Sequence, residues 1–177
     1  MAVAGLAVAA GTAWARLAAP GAAAVLAAVP AEVPAEPAAE PVVGPAALDW
    51  TAVLRAADAA RGRAFAAGDP GPLAVADVPG SAAEARDRQA VDALRRTAAV
   101  ARGWAPLVHA VEVLSADAQE AVLRVVDELP PWELVDGPGR VVQRFNARAR
   151  SAWQVELSWV VDAGWGVVAA RPDTGVS

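Results

Sequence analysis

The sequence predicts an α+β fold, with N-terminal helices packed on a strongly curved antiparallel sheet of about six strands. Three observations carry this reading. Apolar residues recur at helical spacing from Trp50 to Phe65. A second helical stretch opens at Ser81-Ala-Ala-Glu84, the Ser-x-x-Glu spacing of a capping box. After Gly103 the apolar period turns from helical to alternating and stays so to Ala170. Helices followed by a run of strands place the helices on one face of an antiparallel sheet.

Asp49 is a natural N-cap for the first helix. Trp50, Val53, Leu54, Ala57, Ala64 and Phe65 share one face of it, and Arg55, Asp58 and Arg61 fall mostly opposite. Gly68 and Asp69–Pro70 stop it. Leu73–Val78 is a short apolar piece between turn signals, read as one helical turn or an irregular strand. The Ser81 helix is expected to reach about Arg102, with a thin stripe of Val91, Leu94 and Ala98 and a stop at Gly103. Its Asp87, Arg88, Asp92, Arg95 and Arg96 read as a solvated face with local ion pairs. Six strands follow: Trp104–Leu114, Glu120–Leu129, Trp132–Val135, Val141–Phe145, Ser151–Val161 and Trp165–Ala170. Pro130–Pro131, Asp136-Gly-Pro-Gly139 and Asp162-Ala-Gly164 separate five of them.

Ahead of this body lie two segments of different character. Residues 1–29 are apolar, Ala-rich and nearly free of charge, interrupted by Arg16 and by Pro20–Gly21. Residues 30–47, PAEVPAEPAAEPVVGPAA, carry too many prolines for a helix and too little apolar bulk for a core. They read as a semi-extended linker spanning roughly 50 Å. A linker between an apolar head and the body at 48–171 describes a tethered domain with a short tail, 172–177. Three readings of the head stay open: a membrane anchor or uncleaved signal, a cleaved signal, and an Ala-rich tail. The anchor puts the domain outside the cell membrane as a single-pass protein; the cleaved signal makes it secreted. No basic start precedes the apolar core, as a secretory signal would have.

Composition narrows the chemistry. The chain has no cysteine and one histidine, which excludes disulfides, thiol nucleophiles and multi-histidine metal sites. All fifteen basic residues are arginines, and the net charge is −5 with both signs interspersed. Without a basic stripe and interleaved aromatics, nucleic acid is not an expected partner. No phosphate loop, serine nucleophile motif or calcium loop is present, so no cofactor is expected.

Several phrases of the body resemble the NTF2-like superfamily, which includes ketosteroid isomerase and the SnoaL-like cyclases. Asp49-Trp-Thr-Ala-Val-Leu54 through Arg63-Ala-Phe-Ala-Ala-Gly-Asp69 is similar to the family's first helix. Pro70–Ser81 is similar to its second, short helix, and Gly164-Trp-Gly-Val-Val168 to its closing strand. More narrowly, the whole chain resembles actinobacterial proteins that hold such a domain outside the membrane. The resemblance implies a cone with a pocket at its open end, and a homodimer formed through the sheet. The isomerases of the family use a tyrosine donor, and this chain has no tyrosine, so no catalytic residue is carried over.

Three residues stand out as candidates for a pocket. His109 is of the one type that titrates near neutral pH unperturbed. By simple alternation it shares a face with Leu107, Val111 and Val113. Asp127 ends an apolar strand face of Ala121, Leu123 and Val125, where a buried carboxyl serves as acid or base; its alternative is a strand-end carboxylate that pairs with an arginine or caps the Pro130–Pro131 turn. Trp132 directly follows two prolines at the mouth-like end of a hairpin. Glu112 and Glu156 are expected to be solvent-exposed or to pair across strands with Arg124 or Arg144. Two functions fit. One is an envelope-tethered, non-enzymatic domain that binds a protein partner, a lipid or a second copy. The alternative is a small isomerase, dehydratase or cyclase on a hydrophobic substrate, which requires His109 and Asp127 to face one cavity.

Overall fold

The structure is a computed structural model that describes residues 48–173; the apolar head and the linker lie outside the described residues. Among the described residues no helix is long and apolar enough to cross a membrane. Three helices precede seven strands. Helix α1 (Trp50–Ala67) begins where Asp49 accepts the Ala52 N–H at 3.0 Å and ends at Gly68 in the left-handed region, φ 62°. Helix α2 (Leu73–Ala76) is a single turn. Helix α3 (Ala82–Arg96) is capped by Ser81, whose hydroxyl accepts the Glu84 N–H. Glu84 reaches back to the Gly80 N–H at 2.6 Å, one residue beyond the strict capping box.

Strands β1 (Ala99–Arg102), β4 (Trp132–Asp136) and β5 (Val141–Phe145) form one antiparallel sheet in the order β1-β4-β5. Strands β2 (Leu107–Ala116), β3 (Glu120–Leu129), β6 (Arg148–Val160) and β7 (Gly164–Pro172) form a second in the order β2-β3-β6-β7. The single six-stranded sheet expected from the sequence is therefore corrected to seven strands in two sheets. Pro130 and Pro131 sit where the chain passes from β3 to β4, and neither has an N–H to continue a ladder.

The extra strand comes from the end of the predicted second helix. That helix stops at Arg96 rather than about Arg102. The Thr97 hydroxyl donates to the carbonyls of Ala93 and Leu94, and Ala98 takes a positive φ of 49°. Residues 99–102 then pair with β4, Ala99 opposite Asp136 and Arg102 opposite Glu133. At the other end, β7 runs through Arg171 to Pro172, where a tail was expected.

Helix α1 serves both sheets. Its N-terminal half buries Trp50, Leu54 and Ala57 among Leu123, Val125, Val155, Leu157 and Val167 of the four-stranded sheet. Its C-terminal half buries Ala64 and Phe65 with Leu73, Val91, Ala99, Ala101 and Leu134. Burying a side chain such as Leu73 contributes about 1.5–3 kcal/mol. The tryptophans divide accordingly: Trp50, Trp153 and Trp165 pack in the first core, Trp104 and Trp132 against the second. Trp159 is half exposed and leans edge-on against Trp165.

Candidate functional site

The inner face of β3 carries Ala121, Leu123, Val125 and, at its end, Asp127, as the alternation predicts. Asp127 is fully engaged. Arg148 Nη2 on β6 lies 2.9 Å from both carboxylate oxygens, and the Trp153 Nε1–H donates to Oδ1 at 2.8 Å. The Arg148 guanidinium also sits 5.3 Å from the centre of the Trp153 ring, within cation–π range. Asp127 is thus a strand-end carboxylate paired with an arginine, one of the readings its position allowed.

His109 lies elsewhere. A bulge interrupts the β2–β3 register between Val108 and Ala110, so His109 has no partner residue on β3. The bulge turns Val108 and Val111 toward the core. The shared face predicted for Leu107, His109, Val111 and Val113 is corrected by that extra residue. His109 Nε2 pairs with Glu128 Oε2 at 3.0 Å. Glu128 follows Asp127 directly on β3, and neighbours on a strand face opposite ways. His109 and Asp127 therefore stand on opposite faces of one sheet.

Trp132 stacks on Phe145 across the β4–β5 pair, ring centres 4.0 Å apart and 7° from parallel. The two rings line a groove of about 440 Å³ at one end of the small sheet, with Arg102, Glu133, Arg144 and Asn146 around it. Glu133 accepts from both arginines across the strands. Those contacts hold its carboxyl below the usual range, the Arg102 hydrogen bond first and the Arg144 one next. The cross-strand expectation for Glu112 is met by Arg124 at 3.6 Å; Glu156 pairs with Arg171 of β7 at 3.0 Å, not with either arginine predicted for it.

The largest departure from the sequence reading is a buried ion cluster between the helices. Arg61, 8% exposed, donates to Asp87 at 2.6 Å, to Asp58 at 3.2 Å and to Asp77. The side chains of Asp77 and Asp87 are completely buried, whereas 22% of the Asp58 side chain is exposed. Asp87 is not part of a solvated face, and Arg61 does not point away from the core. Burial opposes the charge on Arg61, but Asp87, Asp77 and Asp58 outweigh it and hold the guanidinium firmly protonated. Burial also pushes the Asp77 carboxyl up to about 6, against the pull of Arg61 and with help from Asp87. The cluster was readable in the helical period. Arg61 follows Leu54 and Ala57 on the stripe that continues to Ala64, and Asp87 lies four residues from both Ala83 and Val91.

Strand β2 forms an edge of the four-stranded sheet and, among the described residues, pairs only with β3. Leu107, Val113 and Leu114 on it are each about half exposed. The opposite edge, β7, is met by the segment after α2, through a parallel bridge between Asp77 and Val167. Among the described residues no group of three or more acidic, histidine or cysteine side chains is arranged to hold a metal ion.

These elements define an α+β domain with its helices ahead of two antiparallel sheets. No protein-family model matches the chain, and no curated protein matches it. A solved Xanthomonas campestris protein, named as a calcium/calmodulin dependent protein kinase II association domain, is similar in structure. It is 14% identical, with a TM-score of 0.39, over 66% of this chain and 82% of that one.

Proposed function

We propose that the chain is an envelope-tethered, non-enzymatic binding domain of NTF2-like fold whose first partner is a second copy of itself. One observation carries this reading: β2 is a ten-residue edge strand, open among the described residues, that exposes Leu107, Val113 and Leu114. An open, apolar edge is a template for pairing with another chain unless charge, proline or a covering segment blocks it. The bulges at His109 and Leu114 and the single Glu112 are the only such devices on β2. Two copies aligned edge to edge in antiparallel fashion bring these apolar residues together and extend the sheet.

The positions of the ionisable groups favour binding over catalysis. The isomerase alternative needs His109 and Asp127 in one cavity, and they lie on opposite faces with separate partners. The apolar head and the 30–47 linker support tethering, because a stalk raises the local concentration of an assembly module near its partners. Under this reading the domain lies outside the cell membrane, held by residues 1–29. The Trp132–Phe145 groove offers an open, partly apolar surface for an envelope protein or a hydrophobic ligand.

Sedimentation of the full chain against concentration tests the reading. The expected result is a monomer–dimer equilibrium that shifts toward monomer in Val113→Lys/Leu114→Lys. A wild-type chain that stays monomeric at high concentration, or a variant that dimerises as well as wild type, sinks it.

A further inference from the structure

Arg61 is shared by three carboxylates, and Arg86 meets one of them, Asp87, at 3.3 Å. Asp77 is the ill-fitting member. Its Oδ1 meets Arg61, but its Oδ2 is buried with no hydrogen-bond partner. A buried carboxylate oxygen left without a donor is costly. A protonated carboxyl becomes a donor, and the Asp87 carboxylate, held on the same Arg61, is the neighbouring acceptor.

We propose that Asp77 and Asp87 share one buried proton, and that losing this proton loosens the Asp77–Ser81 connection from β7. The mechanical link is short. Asp77 bridges Val167, and the Val78 N–H donates to the Val167 carbonyl at 3.0 Å. Gly166 packs so closely there that an added Cβ would lie 3.1 Å from the Asp77 carbonyl carbon and from the Val78 nitrogen. A charge that appears on Asp77 therefore acts directly on the contact between the helices and the four-stranded sheet.

The surrounding charges are few. Helix α1 brings Asp58 and Arg61, α3 brings Arg86 and Asp87, and β7 brings backbone only. From β3, Asp127 acts on Asp58 at longer range and is itself paired with Arg148. His109 and Glu112 of β2 and Arg102 of β1 are engaged with Glu128, Arg124 and Glu133. Burial, first, raises Asp77 to about 6, and likewise Asp58. A carboxyl whose folded pKa exceeds its unfolded value keeps a proton that the unfolded chain has lost. Its stabilisation is complete below the unfolded value of about 3.9, falls away as pH rises to about 6, and stays lost above.

The test is amide protection at Val78 in the full chain, followed between about pH 5.5 and about pH 7.5 after correction for intrinsic exchange. Protection is expected to fall about fourfold over that range in wild type, to fall equally in Asp58→Asn, and to stay level in Asp77→Asn. Level protection in wild type, or the same fall in Asp77→Asn, overturns the proposal. A direct reading in wild type does not depend on any variant folding: the Asp77 carboxyl carbon should titrate with a midpoint above about 5, and any lower midpoint overturns it.

Discussion

Arg61→Met is the most informative single change in the helical layer. Methionine keeps much of the apolar stem and removes the charge, leaving Asp77 and Asp87 buried without the cation they share. Removing one partner from a buried ion pair costs about 3–5 kcal/mol. That is a large share of the roughly 5–15 kcal/mol that stabilises a domain. In a domain of this size each kcal/mol corresponds to about 3–5 °C in melting temperature, so a fall of roughly 10–20 °C is expected. The pH dependence sharpens the test. Near pH 7.5 both carboxylates are stranded, whereas near pH 5 Asp77 already holds its proton in the wild type, raised as it is to about 6. The loss at the lower pH should be roughly half that at the higher. Urea unfolding followed by tryptophan fluorescence at both pH values, with the slope checked for constancy, measures this. Replacing the three together, as Arg61→Met/Asp77→Asn/Asp87→Leu, should recover most of the loss, because an uncharged set removes these buried charges altogether. A loss below about 1 kcal/mol for Arg61→Met, typical of an exposed arginine, or an equal loss at both pH values, refutes the reasoning.

Two further changes probe neighbouring contacts. Gly166→Ala puts a methyl 3.1 Å from the Asp77 and Val78 backbone; it should cost about 1–3 kcal/mol in urea unfolding, and a neutral result would mean that this contact has slack. Asp127→Ala strands the Trp153 Nε1–H and part of Arg148 and should cost about 2 kcal/mol, while His109→Ala, on the opposite face, should stay within about 0.5 kcal/mol; equal costs would contradict the placement of the two groups on different faces.

Much of the fold could be read from local signals. Asp49, Gly68 and Ser81 each act within one turn of the chain, and the structure uses all three as the sequence implies. Strands β3 and β5 fall at their predicted bounds because proline pairs and glycine turns fix their ends. Strand β1 was hidden because Ala98–Ala101 is good helical material. What ends the helix is the Thr97 hydroxyl on two carbonyls and a partner strand more than thirty residues away. The bulge at His109 was equally invisible, since nothing in LVHAVEV distinguishes a seven-residue alternation from one that slips by a residue. Asp87 is the instructive case. Its spacing to Ala83 and Val91 placed it on the buried stripe, but a charge there makes sense only beside Arg61, which occupies the matching gap in the stripe of another helix. Each residue alone reads as a surface charge; the pair reads as a core contact.

The proposal that two copies meet along β2 can be tested almost without background, because the chain has no cysteine. A single thiol placed by Glu112→Cys lies near the middle of the β2 edge. A control thiol, Arg96→Cys, lies at the end of α3. Under mild oxidation of the full chain the account predicts a disulfide-linked dimer from Glu112→Cys and little from the control. Equal cross-linking of the two, or none from Glu112→Cys at concentrations where the chain sediments as a dimer, would contradict it.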